Sequence, residues 1–251
     1  NSATGNSVTV TTMGLEIDAS VLTPPTWSAD SRFVLLAGRN DNGATGVYRI
    51  DVTTGTASQV LPAESGVFPA RDLSGSNSSL AAWSPDGSTL YRRVNEMKAG
   101  RLWRVSLASH RIADGAEREV YRTPPDSGLN WPDVSADGLR LLTVLFERAP
   151  ARKYRLVSLE IAGGDVVTLA ERPGTAGSIT GSAWGGDGSV LFDVTTDYRR
   201  PTELYRIDPV TRVETRIRGI DLLRVRDLRL SPDGRKLAFT AGTERKDDGV
   251  W

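Results

Sequence analysis

Short apolar and β-branched runs recur along the chain: Phe33 to Ala37, Leu90 to Val94, Leu141 to Phe146, Val190 to Val194 and Leu237 to Thr240. Runs of this length, bounded by turn residues, predict strands. Each is entered through a copy of one turn: Trp27-Ser28-Ala29-Asp30-Ser31, Trp83-Ser84-Pro85-Asp86-Gly87, Val134-Ser135-Ala136-Asp137-Gly138, Trp184-Gly185-Gly186-Asp187-Gly188 and Leu230-Ser231-Pro232-Asp233-Gly234. The turn aspartates stand 56, 51, 50 and 46 residues apart. Proline presets φ, aspartate tolerates the next position, and glycine supplies the positive φ that closes a tight hairpin.

A second strand begins some 16 to 19 residues beyond each turn aspartate, near Val47-Tyr48-Arg49-Ile50, Leu102-Trp103-Arg104-Val105, Leu156-Val157-Ser158-Leu159, Leu204-Tyr205-Arg206-Ile207 and Val250-Trp251. Tyr48, Trp103, Tyr205 and Trp251 are read as matching aromatics that pack between neighbouring units, as are Trp27, Trp83 and Trp184 before the turns. A further strand follows in most copies, such as Ala57 to Leu61, Val166 to Leu169 and Val213 to Ile217. Four antiparallel strands in each unit of about fifty residues make the blade of a β-propeller, so the chain is read as one all-β propeller domain over residues 1–251. A β-sandwich shows the same alternation, but has no reason to repeat the same turn in register five times.

The turn, the apolar run after it and the aromatic-bearing strand resemble the TolB-type (WD40-like) propeller repeat, most closely at Trp83 to Leu107 and Leu230 to Phe239. The likeness runs from about Leu22 to the end. Departures are Ser31 in place of glycine, Gly185-Gly186 in place of Ser-Pro, and Val157 in the aromatic slot. The resemblance implies a bacterial periplasmic or extracellular setting and a non-enzymatic protein- or peptide-binding scaffold. The same repeat also serves as the substrate-gating propeller of prolyl-oligopeptidase-like enzymes and as the sensor region of larger signalling chains, and both alternatives stay open.

Ser7 to Thr12 is a β-branched run with no turn motif before it, placed to supply the outermost strand of the last unit and close a five-unit ring. The competing expectation is a portion of a parent chain with six to eight blades, because the last unit stops at Trp251. The sequence opens at Asn1 without a charged-then-apolar leader, so the expectation is that a signal segment, if one existed, has been removed.

Lysine plus arginine number 31 and aspartate plus glutamate 31, so no global field favours nucleic acid or anionic membrane as a partner. Its longest apolar runs fall far short of the roughly 20 residues of a membrane span, so no membrane insertion is expected. Cysteine is absent and His110 is the single histidine, which removes thiol chemistry and the common Cys/His metal sites. No metal, cofactor or catalytic residue is assigned. His110 reads as an exposed turn residue, the turn aspartates as turn chemistry, and Asn40-Asp41-Asn42-Gly43 as an Asn-Gly turn rather than a calcium loop.

Function is therefore sought in the loops joining second to third strands, which converge on one face of a propeller: Arg39 to Thr45, Asn95 to Gly100, Glu147 to Lys153, Thr195 to Thr202 and Gly242 to Asp248. Two of them are net basic. Arg148, Arg152 and Lys153, with Tyr198, Arg199 and Arg200, form the candidate binding patch for an acidic peptide or carboxylate-bearing partner. Trp131 and the Val67-Phe68-Pro69 trio within Pro62 to Ser79 are further candidate contacts.

Overall fold

A computed structural model describes residues 12, 14–17, 26–28, 30–62, 81–98, 101–130, 132–148, 151–197, 199–217, 223–230, 236–242 and 248–250. They form five antiparallel sheets in chain order. Sheet I holds β1 (Leu15–Ile17), β2 (Thr26–Trp27), β3 (Phe33–Asn40), β4 (Thr45–Asp51) and β5 (Ala57–Pro62). Sheet II holds β6 (Ala81–Trp83), β7 (Thr89–Lys98), β8 (Arg101–Arg111) and β9 (Glu117–Arg122). Sheet III holds β10 (Ser127–Leu129), β11 (Asp133–Val134), β12 (Arg140–Glu147), β13 (Lys153–Glu160) and β14 (Val166–Pro173). Sheet IV holds β15 (Ser182–Trp184), β16 (Val190–Val194), β17 (Glu203–Ile207) and β18 (Glu214–Ile217). Sheet V holds β19 (Leu223–Leu230), β20 (Leu237–Gly242) and β21 (Asp248–Val250).

Each sheet is a meander in which consecutive strands pair, and in sheets I and III two short strands share the first position, both pairing with the second strand. First strands of successive sheets touch one another, β2 with β6, β6 with β11, β11 with β15 and β15 with β19, which sets them on the inner side. This is the blade arrangement of a propeller, as the repeat predicts. Of the segment expected to close the ring, only Thr12 lies among the described residues; the turn Ser231-Pro232-Asp233-Gly234, Trp131, Trp251 and residues 63–80 also lie outside them.

The turn residues act through a hydrogen-bond cycle confined to six positions. Ser28, Ser84 and Ser135 donate Oγ–H to Asp30, Asp86 and Asp137 at 2.6, 2.5 and 2.5 Å. The same aspartate oxygens accept the backbone N–H of Arg32, Ser88 and Leu139, while the serine Oγ accepts that of Phe33, Thr89 and Arg140. In the fourth copy Gly185 has no hydroxyl, and Ser189 supplies it to Asp187 at 2.6 Å. These bonds, the serine hydroxyl first, hold Asp30, Asp86, Asp137 and Asp187 below the ordinary aspartate range.

Alternation along the strands sends side chains to both faces, so every sheet packs on the next. Leu35, Val47 and Leu61 meet Trp83 and Leu90 between sheets I and II. Tyr91, Val105 and Leu107 meet Leu129, Leu141 and Leu145 between II and III. Leu142, Val144 and Leu156 meet Val190, Phe192 and Ile207 between III and IV, and Ala183 and Leu204 meet Val225 and Leu228 between IV and V. Polar ties cross the same seams: Arg118 donates to the Ile161 carbonyl at 2.8 Å, Asn130 to that of Thr180 at 3.1 Å, and Arg172 pairs with Glu214.

Three readings need correction. Trp83 is 8 % exposed, but Trp27 is 56 % exposed; Trp83 packs on sheet I, whereas on the far side of sheet I the cluster of Leu15, Tyr48 and Ile50 is made, among the described residues, of sheet I residues alone. Counting back from the positive-φ turn residues Gly55, Gly115, Gly164 and Arg212 aligns Tyr48 with Ala108, Val157 and Tyr205, so Trp103 is not the matching aromatic. The cause is the longer hairpin of sheet II, which pairs through Lys98↔Arg101 and replaces the loop expected at Asn95 to Gly100. His110 lies inside β8, not in a turn, and is 9 % exposed, because β8 runs on to Arg111 and the turn is Ile112–Ala116.

Candidate functional site

The face carrying the second-to-third-strand connections is shaped by short, self-bonded turns. Asn40 Oδ1 accepts the N–H groups of Asn42 and Ala44, and Gly43 takes φ +78°, so the segment is the turn expected of Asn-Gly. Sheet II projects instead a β7–β8 arm. Its Trp103 ring has Lys98 Nζ at 4.5 Å and the Arg104 guanidinium carbon at 5.7 Å from its centroid.

The predicted patch is divided between two neighbouring connections. Residues 148–152 join β12 to β13. Gly128 of β10 pairs with Phe146, whose ring lies so close that a Cβ at Gly128 would stand 2.2 Å from Phe146 Cζ. The Arg148 guanidinium carbon is 5.7 Å from the centroid of that ring. Arg152 is exposed, and its carbonyl accepts the Gly174 N–H at 2.7 Å beyond the end of β14. Lys153 pairs with Glu171 of β14 at 3.3 Å, and Arg155 takes Glu147 at 2.6 Å. Arg148 therefore belongs to the inner side of sheet III, while Arg152 and Lys153 belong to its outer side.

The connection from β16 to β17 is pinned at its base. Thr195 bridges Ser178 and faces Thr202 at 3.3 Å between hydroxyls, and Thr202 Oγ1 accepts the Val225 N–H. Asp197 accepts the N–H groups of Arg199 through Oδ1 and of Arg200 through its carbonyl, leaving both guanidinium groups exposed. Tyr198 lies outside the described residues. Among the described residues no carboxylate forms an ion pair with Arg148, Arg152, Arg199 or Arg200, whereas Lys153 is already paired.

Sequence reasoning missed Arg93. It lies in β7 opposite Leu107, two residues after the buried Tyr91, and its Nε donates to Asn95 Oδ1 at 2.9 Å. Burial, and after it the charge of Arg148, push its pKa down to about 10. The available signal was Arg92-Arg93 interrupting a run that is wholly apolar in the first copy, Phe33 to Ala37.

Two buried charged groups elsewhere serve the fold. Arg92, 4 % exposed, binds Glu117 through Nη2 at 2.7 and 2.8 Å, and His110 Nδ1 lies 3.1 Å from the same carboxylate. Burial acts against the Glu117 charge, yet Arg92 and then His110 hold its pKa below the ordinary value. Asp193, fully buried in β16, accepts the N–H groups of Thr180 and Gly181 and the Thr180 hydroxyl; burial pushes its pKa up to about 6. On the opposite face a cleft of about 200 Å³ opens beside Asp133 and Trp184, where Gly185-Gly186 replace Ser-Pro. The Asp133 oxygens accept the N–H groups of Val134 and Trp184.

No protein-family model matches the chain. An uncharacterised protein of Agrobacterium fabrum, Atu1656, is 25 % identical over 165 residues, 64 % of this chain; the chain spans about half the length of that curated relative. Among solved structures, TolB from Acinetobacter baumannii matches with TM-score 0.61 and 14 % identity over 88 % of this chain and 48 % of its own. Puromycin hydrolase matches with TM-score 0.60 and 15 % identity over 90 % of this chain and 35 % of its own. Oligogalacturonate lyase in complex with manganese matches with TM-score 0.53 and 16 % identity over 95 % of this chain and 81 % of its own. At such identities the likeness speaks of architecture alone: the chain has the TolB-like propeller fold, which these two enzymes share.

Proposed function

We propose that this chain is a non-enzymatic scaffold of the bacterial cell envelope, periplasmic or extracellular, that binds a protein or peptide partner on its loop-rich face. The observation that carries this reading is the set of exposed basic side chains on that face, Arg148, Arg152, Arg199 and Arg200, with which no carboxylate among the described residues forms an ion pair. Such groups suit the carboxylates of an acidic peptide, and Lys153 and Tyr198 complete the set of residues proposed for the patch. A net charge of zero argues against nucleic acid, and no helix among the described residues is long and apolar enough to cross a membrane. The likeness to TolB supports the scaffold reading. We further propose that residues 1–251 form one propeller domain, a portion of a longer parent; the exposed Trp27 marks where a further blade would pack.

A second reading is favoured by the match to puromycin hydrolase, in which nearly all of this chain corresponds to about a third of an enzyme. The chain would then gate substrate for a hydrolase domain. Pull-down from envelope extracts separates the two when done with wild type and with Arg148, Arg199 and Arg200 changed to Glu. Partner recovery that falls with the charge reversal is expected; equal recovery refutes the basic face, and turnover of a peptide by the isolated chain refutes the non-enzymatic role.

A further inference from the structure

We infer that the β7–β8 arm of sheet II is itself an acid-binding element of the loop-rich face: Lys98 and Arg104, gathered at the Trp103 ring, receive neighbouring carboxylates of an acidic partner segment. This rests on the reading of that face as a partner-binding surface, and it places part of the contact on a strand hairpin outside the two basic connections.

The second and third strands of sheets I, III and IV run for five to eight residues, whereas β7 has 10 and β8 has 11. Phe33 and Thr89 stand at the same place after their turns, so the added length lies at the loop-rich end. A bare two-stranded ribbon is marginal in water, and this one is braced at its base. Asp126 donates its N–H to the Trp103 carbonyl at 3.1 Å, and Val105 donates its own to Thr123 Oγ1 at 3.0 Å. Ser127, the next residue, pairs with Glu147 at the end of β12, which ties the arm to the connection that begins at Arg148.

The Trp103 ring gathers two cations, with Lys98 Nζ 4.5 Å and the Arg104 guanidinium carbon 5.7 Å from its centroid. Lys98 is exposed, and Trp103 and Arg104 are half-buried. Among the described residues no carboxylate forms an ion pair with either cation, and Arg104 Nε is closed to solvent without an acceptor. Glu96, directly opposite Arg104 in the ladder, forms no ion pair with it. The ring's negative face draws the cations in, but it carries no net charge and leaves their mutual repulsion in place. Carboxylates of a partner neutralise both: the Arg104 fork fixes the direction of approach, and Lys98 meets the second acid as a point charge on a long stem.

The test is fluorescence anisotropy with a labelled peptide of alternating Glu and Ser and its Gln counterpart. It is run on wild type, Lys98→Gln and the double variants Lys98→Gln/Arg104→Gln and Arg199→Gln/Arg200→Gln. Wild type is expected to prefer the Glu peptide. Lys98→Gln should weaken that binding about threefold, as loss of one exposed ion pair does, and Lys98→Gln/Arg104→Gln about tenfold or more. Should the double arm variant prove unfolded by circular dichroism, Lys98→Gln, at an exposed position, decides alone. Wild-type affinity in both arm variants with loss in Arg199→Gln/Arg200→Gln overturns the arm site and leaves the binding face standing. Equal binding of the Glu and Gln peptides by wild type overturns both.

Discussion

Gly87 closes the second turn at φ +69°, and Ser31 occupies the equivalent place in the first turn at φ +57°. A Cβ at Gly87 would meet nothing within 4 Å, so Gly87→Ala introduces no clash and tests backbone conformation alone. The left-handed conformation costs an L-residue about 1–2 kcal/mol. Alanine also restricts the unfolded chain, which returns about 0.4–1 kcal/mol. The net expectation is a loss of about 1 kcal/mol, or about 2–4 °C in Tm for a domain of this size. Ser31→Gly reverses the sign and should gain a similar amount. Gly138→Ala should cost more than Gly87→Ala, because its Cβ would stand 3.2 Å from Pro85 Cδ of the neighbouring turn. Urea unfolding followed by tryptophan fluorescence gives the three shifts. A neutral Gly87→Ala, or a destabilising Ser31→Gly, would refute the claim that the repeated glycine is selected for its backbone conformation.

Gly128→Ala must push the Phe146 ring aside, and should cost about 1–3 kcal/mol in urea unfolding, with much of the loss absent when Phe146 is first changed to Leu. Glu117→Gln removes the carboxylate shared by Arg92 and His110 and should cost about 2 kcal/mol, measured as a lower urea midpoint. The pH dependence has two limbs of opposite sign. Asp193 titrates at about 6 when folded, above its unfolded value, so stability is highest below the unfolded pKa and falls by about 3 kcal/mol as pH rises through 6. The lowered turn aspartates contribute above the unfolded pKa and lose that contribution as pH falls through their folded values. Unfolding midpoints across this range should peak on the acid side of neutral, and Asp193→Asn should flatten the fall toward pH 7.

The blades were legible because each turn is self-sufficient: Ser84, Asp86 and the N–H groups of Ser88 and Thr89 complete their bonds within six residues, with no distant partner. Hairpin length is not written in that cycle. It depends on cross-strand pairs such as Glu96↔Arg104, so the spacing that fits the other copies puts Trp103 in the aromatic slot and His110 in a turn. The turn after β8 has Ala113-Asp114-Gly115 where the first copy has Thr53-Thr54-Gly55, and its signal was correspondingly weak. Exposure of Trp27 depends on what packs against sheet I, which no local pattern encodes. The short strand β1 is too brief to show a period. At the candidate site the basic loops were legible as charge runs. Which charges are already neutralised was not, since Lys153 meets Glu171 only through the pairing of β13 with β14.

The central claim is that the face bearing residues 148–152 and 195–202 receives the partner. Hydrogen exchange with and without the Glu-Ser peptide tests it directly. Slower exchange in those two connections, with the turns around Asp86, Asp137 and Asp187 on the opposite face unchanged, is the predicted footprint. Protection confined to those turns, or to the cleft beside Trp184, would contradict it.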